Sequence, residues 1–236
     1  PGEEYLARAR CPRERGGKKG PPRVQPCGPR PVCVQLRFAT QLTSEEYVSQ
    51  QGWRQASLAA CPVHGGSSCG FCRHATYARK SPAGARIARW YCRAAQVTFS
   101  LLPDCLAARL SDSLDEVERV VATVEAASSV EAAADRLRPE IELPGAVRWT
   151  RRRLAAVRAA LVTIVGLYPD RLAGTEPRIG ALRARLGVTR LLVSLRELGA
   201  RQLGALPAPL GFCPRVQRRR RARRRRQQRT GPDPPS

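Results

Sequence analysis

The feature that most constrains the fold is a run of cysteine and histidine residues in the second quarter of the chain. Its members are spaced Cys61-x2-His64-x4-Cys69-x2-Cys72-x19-Cys92. Zinc takes four nitrogen or sulfur ligands in a tetrahedron, and an x2 spacing lets one tight turn present two of them. Gly65 and Gly66 follow the first pair and free the backbone to turn. We therefore expect a zinc-ribbon-like module over residues 58–105.

The ligand set of this module stays open at one position. Cys92 follows the strand-like run 87–91 and suits a second turn, but Gln96 stands where its partner is wanted. Glutamine is a poor zinc ligand, so Cys69 or Cys72 would have to complete the set with Cys61, His64 and Cys92. No acidic residue lies beside the ligands as a general base, which favours structural over catalytic zinc. The alternative is a decayed site with free cysteines.

Charge points to a polyanionic partner. The chain has 236 residues, with 42 basic and 19 acidic side chains and a net charge of +23. Phosphate neutralisation releases counterions, so nucleic acid is the usual partner of such a surplus. A GC-rich genome, which writes arginine in place of lysine, is the compositional alternative.

The location of the protein in the cell can be predicted from its apolar runs, its first residues and its cysteine count. No apolar run reaches about 18 residues, which argues against a transmembrane helix. The start is not that of a secreted precursor, and nine cysteines is an odd number for a disulfide framework. We expect a cytoplasmic protein without membrane contact.

Both ends of the chain look unlike folded protein. Residues 1–33 are rich in proline, glycine and charge and predict a disordered arm. Residues 207–236 predict a disordered, arginine-rich tail, because like charges packed this densely repel. The tail arginines that we expect to bind nucleic acid are Arg218, Arg219, Arg220, Arg221, Arg223, Arg224, Arg225 and Arg226.

Between the two ends, the pattern indicates mainly helix. Residues 34–57 predict a short strand, from the alternation of Val34, Leu36 and Phe38, and a helix over 44–51 behind the Thr43 capping box. Residues 111–166 predict three helices, and residues 170–206 predict two more with a stop at Gly187. The expected fold is mainly α: a small zinc-ribbon-like β element, then a helical bundle, between basic arms.

Two of these helices predict a helix-turn-helix. The run 129–138 suits its first helix, and the run 147–153 suits a recognition helix that lays arginines in the major groove. The candidate contacts are Arg148, Trp149, Arg151, Arg152 and Arg153. The alternative is an ordinary three-helix bundle with a solvated arginine face and Trp149 as a core anchor.

Three segments resemble a known family. The runs 73–77 (RHATY), 88–92 (ARWYC) and 98–104 (TFSLLPD) look like the N-terminal zinc ribbon of bacterial insertion-sequence transposases, in which a helix-turn-helix usually follows. The run 147–153 (VRWTRRR) resembles the recognition helix of such proteins. The resemblance covers about residues 58–165 and implies structural zinc and duplex-DNA binding. Gln96 departs from the pattern, since the family tends to have His or Cys there.

The resemblance stops before the catalytic domain. Residues 150–206 show helical periodicity, which leaves no room for the ribonuclease-H-like domain of a transposase. A phosphate-binding Walker loop, a Ser-His-Asp set and a dinucleotide fingerprint are also missing from the sequence. We therefore expect a DNA-binding protein rather than an enzyme, with no small-molecule substrate. The alternatives are an RNA-binding or ribosome-associated protein and a mobile-element remnant without function.

Overall fold

A four-stranded sheet and seven α-helices make up the described part of the chain, residues 32–66 and 68–212 of a computed structural model. The strands are β1 (Val32–Phe38), β2 (Cys72–Ala78), β3 (Arg86–Cys92) and β4 (Val97–Pro103). The helices are α1 (Ser44–Ser49), α2 (Leu114–Ala126), α3 (Val130–Leu137), α4 (Leu143–Leu167), α5 (Pro169–Leu172), α6 (Ile179–Leu186) and α7 (Leu191–Leu198). Helix exceeds strand, but the fold is mixed rather than mainly α.

The sheet is larger than the sequence indicates. Its order is β1-β4-β3-β2: the last three strands form an antiparallel meander, and β1 pairs in parallel with β4. Val34 lies opposite Phe99, 65 residues away. The unit predicted at 34–57 is therefore part of the same sheet, because strand pairing joins it to a segment that no local pattern connects with it.

Local capping sets the start of α1. The Thr43 hydroxyl accepts from the Glu46 N–H at 3.2 Å, and the Glu46 carboxylate accepts from the Thr43 N–H at 2.8 Å. This confirms the predicted capping box. Tyr47 is fully buried and donates to the Arg86 carbonyl at 2.9 Å, which ties α1 to β3.

The helical half begins where the sequence predicts. Ser113 and Ser129 cap α2 and α3 through their hydroxyls. Carboxylates of α2 then hold the later helices: Glu118 accepts from the first two N–H groups of α7, at 3.0 and 2.8 Å. Glu125 does the same for the first N–H of α6. Negative charge at helix N-termini is stabilising, so α2 organises the helices that follow it.

Arg196 of α7 joins the two halves. Its fully buried guanidinium donates to carbonyl oxygens at 2.6–3.2 Å on both sides of the junction. These carbonyls belong to Pro103, Asp104, Leu106, Pro209 and Leu210. Burial lowers the pKa of Arg196 to about 10, so the group stays charged at neutral pH.

The ends of the described chain correct two boundaries. Val32 and Cys33 belong to β1, so order begins before residue 34. Residues 207–212 are not tail: Leu210 is fully buried, and Phe212 N–H bonds the Leu203 carbonyl at 2.7 Å. The rest of the predicted arm (residues 1–31 of 1–33) and the rest of the predicted tail (residues 213–236 of 207–236, with Arg218–Arg226) lie outside the described residues. No helix of the described chain combines the length and apolarity needed to cross a membrane.

Replacing Arg196 with Lys tests its role at the junction. Lysine keeps the charge but carries its donors on one nitrogen, which cannot reach carbonyls on both sides. We expect a loss of about 3 kcal/mol in unfolding free energy, since buried carbonyls lose their donors. Thermal unfolding measures it, and a drop of about 10 °C is expected for a domain of this size. Exposed Arg201→Lys is the control, and an equal melting temperature for both variants contradicts the role.

Candidate metal centre

Four side chains meet at one end of the sheet. The ligand atoms of Cys61, His64, Cys69 and Cys92 all lie within 4.8 Å of one another. The first three come from the loop before β2, and Cys92 is the last residue of β3. Residues 31 apart along the chain are therefore brought to one point, close enough to hold a single metal ion.

The distances fit a tetrahedral ion. The His64 Nδ1 atom lies 3.5 Å from the Cys61 sulfur and 3.4 Å from the Cys92 sulfur. An ion held about 2.3 Å from sulfur and about 2.0 Å from nitrogen gives a tetrahedral edge of about 3.5 Å. The side chains thus already stand at ligand spacing, and His64 presents Nδ1 rather than Nε2.

The backbone shapes both loops around the four atoms. Gly65 takes φ +69° and donates to the Cys61 carbonyl at 2.8 Å, while Cys61 donates to the Gly66 carbonyl. The Ala95 N–H points at the Cys92 sulfur at 3.4 Å. N–H groups directed at sulfur stabilise the thiolate form that a metal ion requires.

An apolar cluster holds the centre against the sheet. Cys61, Cys92 and Phe99 are buried together, and Phe71 stacks on Trp90 with ring centroids 5.2 Å apart. His64 is exposed at the outer side. A rigid apolar base under three sulfurs lowers the local dielectric and fixes their positions.

The thiols of the centre have unequal acidity. Burial opposes ionisation of Cys61, but hydrogen bonds from the His64 ring and from nearby backbone N–H groups outweigh it and lower its pKa to about 6. Burial, with hydrogen bonds to Cys61 and Cys92, raises the pKa of Cys69 to about 11. Without a metal ion, Cys61 carries the negative charge and Cys69 keeps its proton.

The structure selects between the two open ligands. Cys69 belongs to the group and Cys72 does not, because Cys72 is the first residue of β2 and has a bonding partner of its own. Gly70, which has a φ of +68°, lies between Cys69 and Cys72. Gln96 is a turn residue at φ +52° between β3 and β4. The four-residue group is complete without it, so this departure from the family pattern does not remove a ligand.

The predicted nucleic-acid contacts on α4 divide into exposed and buried residues. Arg148, Arg151 and Arg152 are exposed, and Arg151 pairs with Glu131 of α3 at 2.7 Å. Arg153 does not lie on the exposed face, contrary to the prediction that it contacts nucleic acid. Only 7 % of its side chain is exposed, and it is ion-paired with Asp112. Its partner lies 41 residues away, so the sequence alone does not reveal the pairing.

Trp149 is half-buried rather than an exposed contact. Its ring is partly buried under the guanidinium of Arg153, at 3.7 Å from the ring centroid, and near that of Arg138, at 5.0 Å. Cation–π contacts of this kind fix the ring and both arginines. Trp149 is thus half-buried under arginines and does not belong to the buried core clusters of the described chain, so it is not the core anchor of the alternative interpretation.

No protein-family model matches the chain, and comparisons with curated proteins and with solved structures found no match either.

Replacing one ligand tests the centre. Cys92→Ser removes a sulfur ligand, so we expect tightly bound metal to fall from about one ion per chain to a trace, as a four-ligand site requires. Elemental mass spectrometry of the purified protein measures the content. Cys33→Ser, at an exposed cysteine outside the group, is the matched control. Full metal content in the Cys92 variant would exclude these four residues as the ligand set.

Acidification tests the thiolates. The pKa of Cys61 lies below its ordinary value, so its thiolate persists down to about pH 6 and takes up a proton below it. Metal binding must also displace the proton of Cys69, whose pKa is raised to about 11, so we expect affinity to fall with pH over the whole range and more steeply below about pH 6. Competition with a chelator at pH 7.5, 6.5 and 5.5 measures the change. Constant affinity over this range contradicts thiolate ligation.

Proposed function

We propose that this chain is a zinc-stabilised protein that binds duplex DNA through the exposed arginine face of α4, without a reaction of its own. The proposal extends the resemblance to the N-terminal regions of insertion-sequence transposases. The observation that carries it is the charge of α4: the 25-residue helix contains five arginines and no acidic residue.

Zinc is the metal that suits the centre best. Three sulfurs and one imidazole nitrogen form a soft donor set, which selects zinc over magnesium or calcium. Four protein ligands close the coordination sphere and leave no position for a substrate. The ion would therefore hold the loop before β2 onto the sheet rather than activate water.

The exposed face of α4 presents uncompensated charge. Arg148 and Arg152 lie one turn apart, exposed, and have no ion-pair partner in the part of the chain that the structure describes. The rise from residue 148 to residue 152 is about 6 Å, at about 1.5 Å per residue. Each DNA strand carries one charge per about 3.4 Å of helix axis, so these two side chains can reach two neighbouring phosphates.

Contacts on the inner side of α4 hold the helix in place, so its exposed arginine face has a fixed orientation. Arg153 is anchored by Asp112 and by the Trp149 ring on the inner side of the helix. Ala134 of α3 packs with Ala146 and Val147, and small side chains here let the two helices approach closely. Residues 138–142 connect α3 and α4, where the turn of the predicted helix-turn-helix would lie.

Neutralising the exposed arginines tests the interface. For the double variant Arg148→Gln/Arg152→Gln we expect at least tenfold weaker binding to a 20-base-pair duplex at 150 mM salt. The slope of log K against log salt should fall by about 1.8, since each lost phosphate contact removes about 0.9. Fluorescence anisotropy over a salt series measures both quantities.

A second double variant separates contact from bulk charge. Arg93→Gln/Arg171→Gln removes the same charge from exposed positions on other elements and should leave the affinity within about twofold. Equal losses in both doubles would overturn an α4 interface. Tighter binding of a structured RNA than of duplex at matched salt would favour the RNA-binding alternative.

A further inference from the structure

The sheet has a second functional face, opposite the metal centre. Side chains of a strand alternate between faces, so Cys92 and Trp90 point to one side and Arg89 to the other. Arg89 and Ser100 lie opposite each other on β3 and β4, and Gln35 of β1 lies opposite Ser100. These residues form the floor of a groove, called here the sheet groove.

The sheet groove is large enough for a small molecule. Its volume is about 840 Å³, and its rim includes Arg109 from the loop after β4 and Arg201 from the 3-10 turn after α7. Ligand sites in proteins commonly occupy about 300–1,000 Å³. The groove therefore has the size of a nucleotide-binding site rather than of a packing defect.

Charge in the groove has one sign. Among the described residues that line it, four are arginines and none is Asp or Glu. Arg37 is neutralised by Asp104 at 2.8 Å, which leaves Arg89, Arg109 and Arg201 without a carboxylate partner in the described part of the chain. Three guanidiniums around one cavity favour an anion that carries several oxygens.

Arg89 is held in position by an aromatic stack. Its guanidinium lies 4.4 Å from the centre of the Tyr77 ring, which fixes the plane of the fork. Its Nε is buried and has no hydrogen-bond partner within residues 32–66 and 68–212, so a ligand in the groove would meet the terminal guanidinium nitrogens instead.

Two hydroxyl groups lie beside the arginines and already have partners. Ser100 is buried next to Arg89, with its Oγ 3.5 Å from the Cys33 sulfur, and it hydrogen-bonds the Tyr77 side chain. Burial raises the pKa of Tyr77, so its hydroxyl stays protonated and adds no negative charge to the groove. The arginine forks are therefore the groups that would bind phosphate oxygens here.

We propose that the sheet groove binds a phosphate-bearing ligand of nucleotide size, held by the guanidinium groups of Arg89, Arg109 and Arg201. This site is distinct from the face of α4 and does not depend on it. The same chemistry occurs in a free nucleotide and in the 5′-phosphorylated end of a single strand, so the experiment includes both.

Alkylation of Cys33 reports on the groove. Cys33 is exposed and lines the groove, so a bound ligand should shield it from N-ethylmaleimide. The full chain with its metal is treated at 150 mM salt with pyrophosphate, AMP or 5′-phosphorylated tetrathymidylate, each at 1 mM. Peptide mass spectrometry then measures modification at Cys33 alone. We expect at least fivefold slower modification with AMP or the oligonucleotide, and the better protector identifies the source.

Variants tie the protection to the groove. Arg89→Gln and the exposed double Arg109→Gln/Arg201→Gln should each raise at least tenfold the ligand concentration that gives half-protection, and the double keeps the test valid if the first variant does not fold. The charge-matched Arg93→Gln/Arg171→Gln should stay within twofold. Lack of protection by all three probes, or equal losses in the control, overturns the proposal. Arg148→Gln/Arg152→Gln should leave protection unchanged, which separates this site from the DNA interface.

Discussion

A buried guanidinium, that of Arg196, is the interaction on which the rest of the structure depends. It brings together carbonyls from the end of β4, from the loop after it and from the segment after residue 207. Among the described residues its hydrogen-bond acceptors are all backbone carbonyls, and the nearby negative charge of Asp104 also favours the charged form. Such an arrangement is stable only if every donor is used, because an unpaired buried charge is costly. The sheet, α7 and the last described residues are therefore positioned as one unit.

The arginines of this chain have two different roles, one in the buried interior and one at the surface. Arg153 and Arg196 are buried and spend their donors on Asp112 and on carbonyl oxygens. Arg148 and Arg152 stay in solvent and keep their charge available. The high net charge is thus a mixture of structural and free cations. The exposed cations on α4 and around the sheet groove form the two surfaces at which we propose that anions bind.

Local chemistry is what the sequence could predict. Three caps accept hydrogen bonds from N–H groups three residues further along the chain, so a short stretch of sequence is enough to predict them. They are Thr43, Ser113 and Ser129. The cysteine and histidine spacing likewise predicted a metal centre and named its four members among five candidates.

Contacts over long separations were beyond the sequence. The parallel pairing of β1 with β4, the ion pair of Arg153 and the burial of Arg196 each join residues that no period connects. Arginine on a helix is ordinarily read as solvent-facing, and only the folded chain shows otherwise. The spacing alone did not show which of Cys69 and Cys72 lies beside the other three side chains, and the folded chain places Cys69 there.

The parallel pairing of β1 with β4 also bears on the order in which the chain folds. Joining Val32 to Val97 closes a loop of 65 residues, a slow and entropically costly step. The candidate metal centre lies inside this loop and brings the side chains of residues 61 and 92 together. An ion bound first would act as a crosslink that roughly halves the loop, which would save about 0.6 kcal/mol of closure entropy. Metal would then speed the docking of β1 by up to about threefold, as well as stabilise the finished sheet.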